Sequence, residues 1–317
     1  MSNSPQTKSS DLTGSNPSPL SAALRNVFVG ERGIRSGWSA LLFVTIYVVL
    51  EAVVNAALGH FVSLQVKGAI PPSLALLREF CEVLVVMVAT WVMARVEKRR
   101  LLSYGYTGYH RLLRFASGVM WGLVCLSVLI GVLREEGLLV FGGMSLTGLV
   151  AWKYALVWAL VFLLVGVLEE SLLRGYLQYT LSRGIGFWWA ALLLSTAFAL
   201  WHTSNNGESL LGLLVVGAGG FVFCISLWYT KSLWWAVGFH AGWDWGQSYI
   251  YGTPDSGLVA EGHLLAMHPA GNPLWSGGAT GPEGSLLILP FLILLATCMW
   301  IWWGVRNESI ASSPAEE

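Results

Sequence analysis

Eight apolar runs constrain this chain more than any other feature: residues 38–59, 74–95, 112–133, 152–182, 187–204, 209–229, 232–250 and 286–304. About 20 apolar residues in a helix cross the hydrocarbon core of a bilayer. Inside lipid a backbone must satisfy its own hydrogen bonds, which leaves helices or closed barrels. The sequence therefore predicts an all-α fold, a polytopic membrane bundle of about eight transmembrane helices. The run 152–182 is too long for a straight span, so it is expected to tilt or to continue past the membrane.

Composition agrees. Hydrophobic residues make up 55% of the chain and charged residues 11%, against about 25% charge in a soluble domain. Such a chain cannot cover a water-facing surface. Its 17 Trp suit the belts at membrane interfaces. The 18 basic and 18 acidic residues cancel, which argues against a nucleic-acid partner. Cys81, Cys125, Cys224 and Cys298 fall inside apolar runs without a ligand spacing and read as small buried hydrophobes.

The chain divides into a polar tail over 1–35, three transmembrane helices over 36–145, a second helical unit over 146–306 and a tail over 307–317. Residues 1–24, "MSNSPQTKSSDLTGSNPSPLSAAL", are expected to be disordered and lack the features of a signal peptide. Arg25, Arg32 and Arg35 precede the first run, and Lys98, Arg99, Arg100, Arg111 and Arg114 separate the second from the third. Arg183 and Lys231 mark later turns, and Arg306 follows the last run. With eight spans these fall on one side, which the positive-inside rule makes the cytoplasm. Lys67, Arg134 and Lys153 are all that the other side holds, and 251–285 has no Lys or Arg. Both termini are then cytoplasmic.

Ionisable groups inside spans are costly and point to function. The fourth run carries Glu169, Glu170 and Arg174, the fifth His202, and the seventh His240 and Asp244. At about 1.5 Å of rise per residue, counted from the Arg183 and Lys231 turns, these groups lie roughly 13–23 Å deep. Three separate helices thus bring polar groups to one band. Glu170 and Arg174 are four residues apart and pair on one face, while Glu169 points about 100° away. His240 and Asp244 share a face in the same way. Two His with carboxylates from separate helices suit a zinc ion with an open water position.

Each element has a plainer reading alone: EExxxR as a structural ion pair, a buried His as hydrogen-bonded packing, HxxxD as chance. Their joint occurrence favours a site, because unsatisfied charge in lipid costs several kcal/mol per group.

In order, "EESLLR" (169–174), "FALWH" (198–202) and "HAGWD" (240–244) match EExxxR, FxxxH and HxxxN/D. On these motifs the chain resembles the CPBP intramembrane proteases, a family that includes type II CAAX prenyl endopeptidases and bacterial relatives linked to bacteriocin processing and lysostaphin resistance. "GPEGS" (281–285) is similar to bacterial members. The resemblance implies an eight-span helical fold and peptide-bond hydrolysis within the membrane, with Glu169 as base and His202 and His240 in the site. One position departs: Asp244 stands where the prenyl-protein enzymes resemble HxxxN. An ionised Asp cannot donate to an oxyanion as Asn can, which favours a metal or orienting role.

The expected chemistry is therefore an intramembrane endopeptidase, a CAAX-type metalloprotease, acting on a membrane-embedded or membrane-anchored protein or peptide. Its catalytic set is Glu169, Glu170, His202, His240 and Asp244. Its ligands for a divalent metal, zinc above others, are His202, His240, Glu169 and Asp244, and Glu170 with Arg174 is its scaffold ion pair. A metal-free form, with Glu169 and His202 activating water, uses the same residues. The expected location is a bacterial plasma membrane. The alternative is a scaffold or transporter-like protein that kept the fold. HExxH and GxGD are missing from the sequence, and the GxS at 143–145 stands outside an apolar run. Arg78 and Glu82 are expected to pair, with Glu51 joining them. His263 and His268 read as solvated residues of the loop 251–285, which is long enough to act as a lid.

Overall fold

The structure, a computed structural model, describes residues 27–30, 33–61, 68–205 and 207–305. Both tails, Arg25, Arg32, Lys67 and Arg306 lie outside the described residues. Every apolar run is helical. The helices are α1 (Ser36–Phe61), α2 (Pro72–Val96), α3 (Arg111–Glu135), α4 (Gly148–Glu170), α5 (Gln178–Ile185), α6 (Phe187–Trp201), α7 (Leu210–Thr230) and α8 (Trp234–Asp244), followed by the short α9 (Pro273–Ser276) and by α10 (Ile288–Met299). The chain is an all-α membrane bundle. Four stretches, Ser36–His60, Arg111–Glu135, Gly148–Ile185 and Leu210–Thr230, are long and apolar enough to cross a membrane. α2 is as long as α3 but carries Arg78, Glu79, Glu82 and Arg95.

The over-long fourth run resolves into two helices and a kink. α4 passes through a π-helical segment, Ser171–Leu177, into α5, and Gly175 within it leaves helical geometry at φ −79°, ψ −106°. A second π-helical segment, Trp245–Ile250, continues α8. The first wide turn begins after Glu170 and contains Arg174, the second directly follows Asp244, and such insertions gather at functional sites. α6, at 15 residues, covers only about 23 Å, so it ends inside the bundle rather than at the far surface.

α8 is set by close backbone packing. A Cβ on Gly122 would stand 2.4 Å from the Phe239 carbonyl oxygen, and one on Gly242 2.6 Å from that of Val119. Only glycines allow α3 and α8 to approach this far, the device of small residues at membrane helix contacts. Across α4, Gly166 faces the Val237 carbonyl and the His240 Cβ.

The basic turns gather at one end. Arg183 reaches Glu97 at 3.9 Å, Arg99 covers the Tyr179 ring at 4.5 Å, and Arg114 Nη1 donates to the Thr230 carbonyl at 2.8 Å. At the other end β1 (Leu139–Met144) pairs antiparallel with β2 (Leu265–Pro269), Leu139 opposite Pro269. Gly143 and Met144 thus belong to a strand, and Ser145 N donates to the Leu264 carbonyl. The segment after α8 closes over the bundle: Ile70 bridges to Ala260, and Trp158 Nε1 donates to the Glu261 carbonyl at 2.9 Å.

Candidate active site

The charged motifs of α4 and α8 meet. Glu170 and Arg174 are 0% and 1% exposed, and Arg174 Nη1 donates to Glu170 Oε1 at 3.2 Å. The guanidinium lies over the rings of Phe198 and Phe223, 4.6 and 5.7 Å from their centroids. Glu170 Oε1 has a second partner, His240 Nδ1, at 3.3 Å. Through the other ring nitrogen, His240 Nε2 lies 3.3 Å from Glu169 Oε2 and 3.5 Å from Asp244 Oδ2. The expected Glu170–Arg174 pair is present, and Glu170 also holds the histidine of another helix.

Glu169 faces the other way, as the helical offset requires. Its Oε2 is buried and has no hydrogen-bond donor; the His240 contact is within ion-pair reach but off the hydrogen-bonding direction. The Glu169 side chain, 16% exposed, lines a cavity of about 470 Å³. Glu51, Glu79 and Glu82 line this cavity from α1 and α2, Asp244 from α8, and Asp255 and Glu283 from the loop beyond it, with Arg78 as the guanidinium of the lining. Phe198, Trp201, Val215, Phe223, Phe291 and Leu295 supply an apolar part.

His202 lines the same cavity but stands apart from the cluster. It caps α6, where a short 3₁₀ turn, His202–Ser204, begins, and its Nδ1 bonds the Phe198 carbonyl at 2.9 Å. A carbonyl oxygen only accepts, so Nδ1 carries the proton and Nε2 keeps its lone pair.

The four expected metal ligands are therefore not one set. Among the described residues no three His, Cys, Asp or Glu side chains are arranged to hold an ion. Glu169, His240 and Asp244 converge, while His202 lines the same cavity with its Nδ1 on the Phe198 carbonyl. As placed, these residues do not fit a ready metal site.

Arg78 and Glu82 form no ion pair; instead Glu82 lies against the Tyr47 phenol, and its Oε2 has no hydrogen-bond partner. Asp255 and Glu283 were not read from the sequence as site residues, although Glu283 sits in the "GPEGS" segment. Ser248 Oγ donates to Asp255 Oδ2 at 2.8 Å, and Ser256 N and Oγ donate to Glu283 Oε1 at 2.5 and 3.0 Å. Burial pushes Asp255 up to about 6, with the Ser248 bond opposing. Burial, then the charges of Asp255 and Asp244, raise Glu283. His263 Nδ1 bonds the Ala260 carbonyl at 2.9 Å, and His268 lies on β2 opposite Val140. The four cysteines are free.

Residues 150–246, which hold all three motifs, match a family model described as Rce1-like, type II CAAX prenyl endopeptidase Rce1-like. This segment is similar to the Rce1-like family. The match supports the CPBP resemblance read from the motifs, and at family level it implies a membrane protease. Among curated proteins, none matches the chain. The Rce1-like segment supplies Glu169, Glu170, Arg174, His202, His240 and Asp244. Glu51, Glu79, Glu82, Asp255 and Glu283 complete the cavity from outside it.

Proposed function

We propose that this chain is an intramembrane endopeptidase, hydrolysing a peptide bond of a membrane-associated protein or peptide with Glu169 as general base. The observation that carries this reading is the Glu169 carboxylate, which lines the cavity and has in Oε2 an oxygen without a hydrogen-bond donor. A base must have a lone pair free to take the proton of water. The water oxygen attacks the carbonyl carbon as its proton passes to Glu169. The C–N bond then breaks, and the leaving amine takes that proton from Glu169. His202 Nε2, unprotonated, accepts from the same water and orients it.

His240 has carboxylates at both ring nitrogens. A neutral imidazole carries one N–H, so both contacts are attractive when positive charge resides at Nε2 or when a protonated carboxyl donates to it. That charge lies where negative charge develops on the scissile carbonyl oxygen. In the reading we favour, it is a proton, and Glu170 and Asp244 hold the ring.

A second reading has its own observation. Glu170 takes Nδ1, the usual outer partner of a metal-bound imidazole, while Nε2 faces two carboxylate oxygens. A divalent ion would supply Lewis acidity there, but His240, Glu169 and Asp244 would have to rearrange to hold it, since among the described residues no three such side chains are placed to do so.

For both readings the bilayer is that of a bacterial plasma membrane, with both termini cytoplasmic. The test is hydrolysis of a prenylated CAAX peptide by the purified protein, together with comparison of membrane proteomes containing wild type or Glu169→Gln. The variant should fold and lose about 10²–10⁴-fold in kcat. Full activity in Glu169→Gln would remove Glu169 as base. Peptide left uncut, with identical proteomes, would favour the scaffold or transporter-like alternative.

A further inference from the structure

We propose that Gly220 is a positioning residue of this site: its bare Cα admits the Arg174 guanidinium, which holds Glu170 and, through it, His240. A Cβ built on Gly220 would lie 2.3 Å from Arg174 Nη2 and 3.1 Å from Phe198 Cδ1. The first distance is far inside van der Waals contact. An exposed arginine would swing aside, but this one is 1% exposed, set over two phenyl rings and joined to Glu170. Its Nε and Nη2 have no hydrogen-bond partners, so space and ring faces rather than donors' partners keep that side of the group in place. Displacing it weakens the Arg174–Glu170 contact, and Glu170 Oε1 is the atom that receives His240 Nδ1.

The second contact touches the other histidine. The Phe198 carbonyl holds His202 Nδ1, and the Phe198 ring lies against the His202 ring at 4.6 Å. One methyl group at 220 therefore presses on the supports of both imidazoles. Gly217, one turn earlier in α7, differs: a Cβ there meets Ala199 Cβ at 3.4 Å and the Ser195 carbonyl at 3.5 Å, ordinary contacts. Both positions are helical, where alanine is the better helix former. A purely local helix effect would treat them alike.

The catalytic part of this inference rests on the proposed endopeptidase reading, so the experiment has a readout independent of activity. Full-length wild type, Gly220→Ala and Gly217→Ala are labelled with [15N]histidine and reconstituted in bilayers. The His240 ring-nitrogen signals, assigned by their loss in His240→Gln, are compared by solid-state NMR. Gly217→Ala should superpose on wild type, whereas Gly220→Ala should shift both ring nitrogens of His240. On the prenylated CAAX peptide, Gly220→Ala should lower kcat by about 10²-fold, the scale of an ångström-sized misplacement, with KM unchanged. Adding Arg174→Lys, which ends in a single nitrogen, should bring the His240 signals back toward wild type, and this pair also serves if Gly220→Ala alone does not fold. His240 signals in Gly220→Ala identical to wild type would overturn the proposal, as would failure of both variants to fold. If wild type leaves the peptide uncut and the membrane proteomes are identical, the endopeptidase reading fails while the NMR comparison still decides the role of Gly220.

Discussion

Glu170 Oε1 lies 3.3 Å from His240 Nδ1, so the carboxylate that neutralises Arg174 also orients an imidazole from a helix 70 residues further along the chain. Structural and catalytic duties meet on one oxygen atom. Losing either neighbour of Glu170 should therefore be felt at the other.

Arg174→Ala should destabilise more than it harms chemistry alone. It strands Glu170 as a buried carboxylate, and breaking a buried pair costs about 3–5 kcal/mol. Thermal unfolding in detergent measures this. A melting temperature equal to wild type would mean that the pair does not stabilise the fold.

Exhaustive chelation should leave hydrolysis of the prenylated CAAX peptide intact, since the charge at His240 Nε2 is read as a proton. Asp244→Asn should likewise keep the fold and most activity, because the Asn side-chain oxygen still accepts a hydrogen bond from that ring. Loss of activity on chelation, restored by zinc, would instead establish the metal reading. Concurrent loss of bound metal in Asp244→Asn would name Asp244 as a ligand.

Asp255 predicts a pH dependence of stability. Burial raises it from 3.8 to about 6 in the fold, so between those values the native state binds more protons than the unfolded chain. Stability associated with this group is complete below about pH 4 and is lost as pH rises through about 6. Melting curves recorded from pH 4 to 7 should fall less steeply for Asp255→Asn than for wild type. Parallel curves would show that Asp255 is not protonated in the native loop.

Reporter fusions at Ser10 and Ser312 should both read cytoplasmic. The clustering of Glu97, Arg99, Arg114 and Arg183 contacts at one end of the bundle supports a common side for the basic turns. A fusion that reads on the opposite side would overturn either the eight-span count or the orientation.

Hydrophobicity and local spacing were enough to determine which residues become helices. Backbone polarity in lipid leaves no other economical state for 20 apolar residues. The Glu170–Arg174 pair was legible for the same reason, since four residues on one helix always share a face. The ordered motifs also pointed to the family whose model residues 150–246 match. Tertiary structure alone decided which side chains meet. Arg78 and Glu82 have the same spacing as Glu170 and Arg174, yet form no pair, because the bundle turns Glu82 toward Tyr47. His202 lines the same cavity as His240, but its Nδ1 is held by its own backbone rather than by a carboxylate. The glycines of α3 and α8 stand at regular four-residue spacing, but spacing does not say which helix they face. Asp255 and Glu283 arrive from a loop whose path no periodicity describes. Local rules act within about one turn of helix; contacts across 50 to 100 residues depend on how helices close around a common cavity, and that is a property of the packed whole.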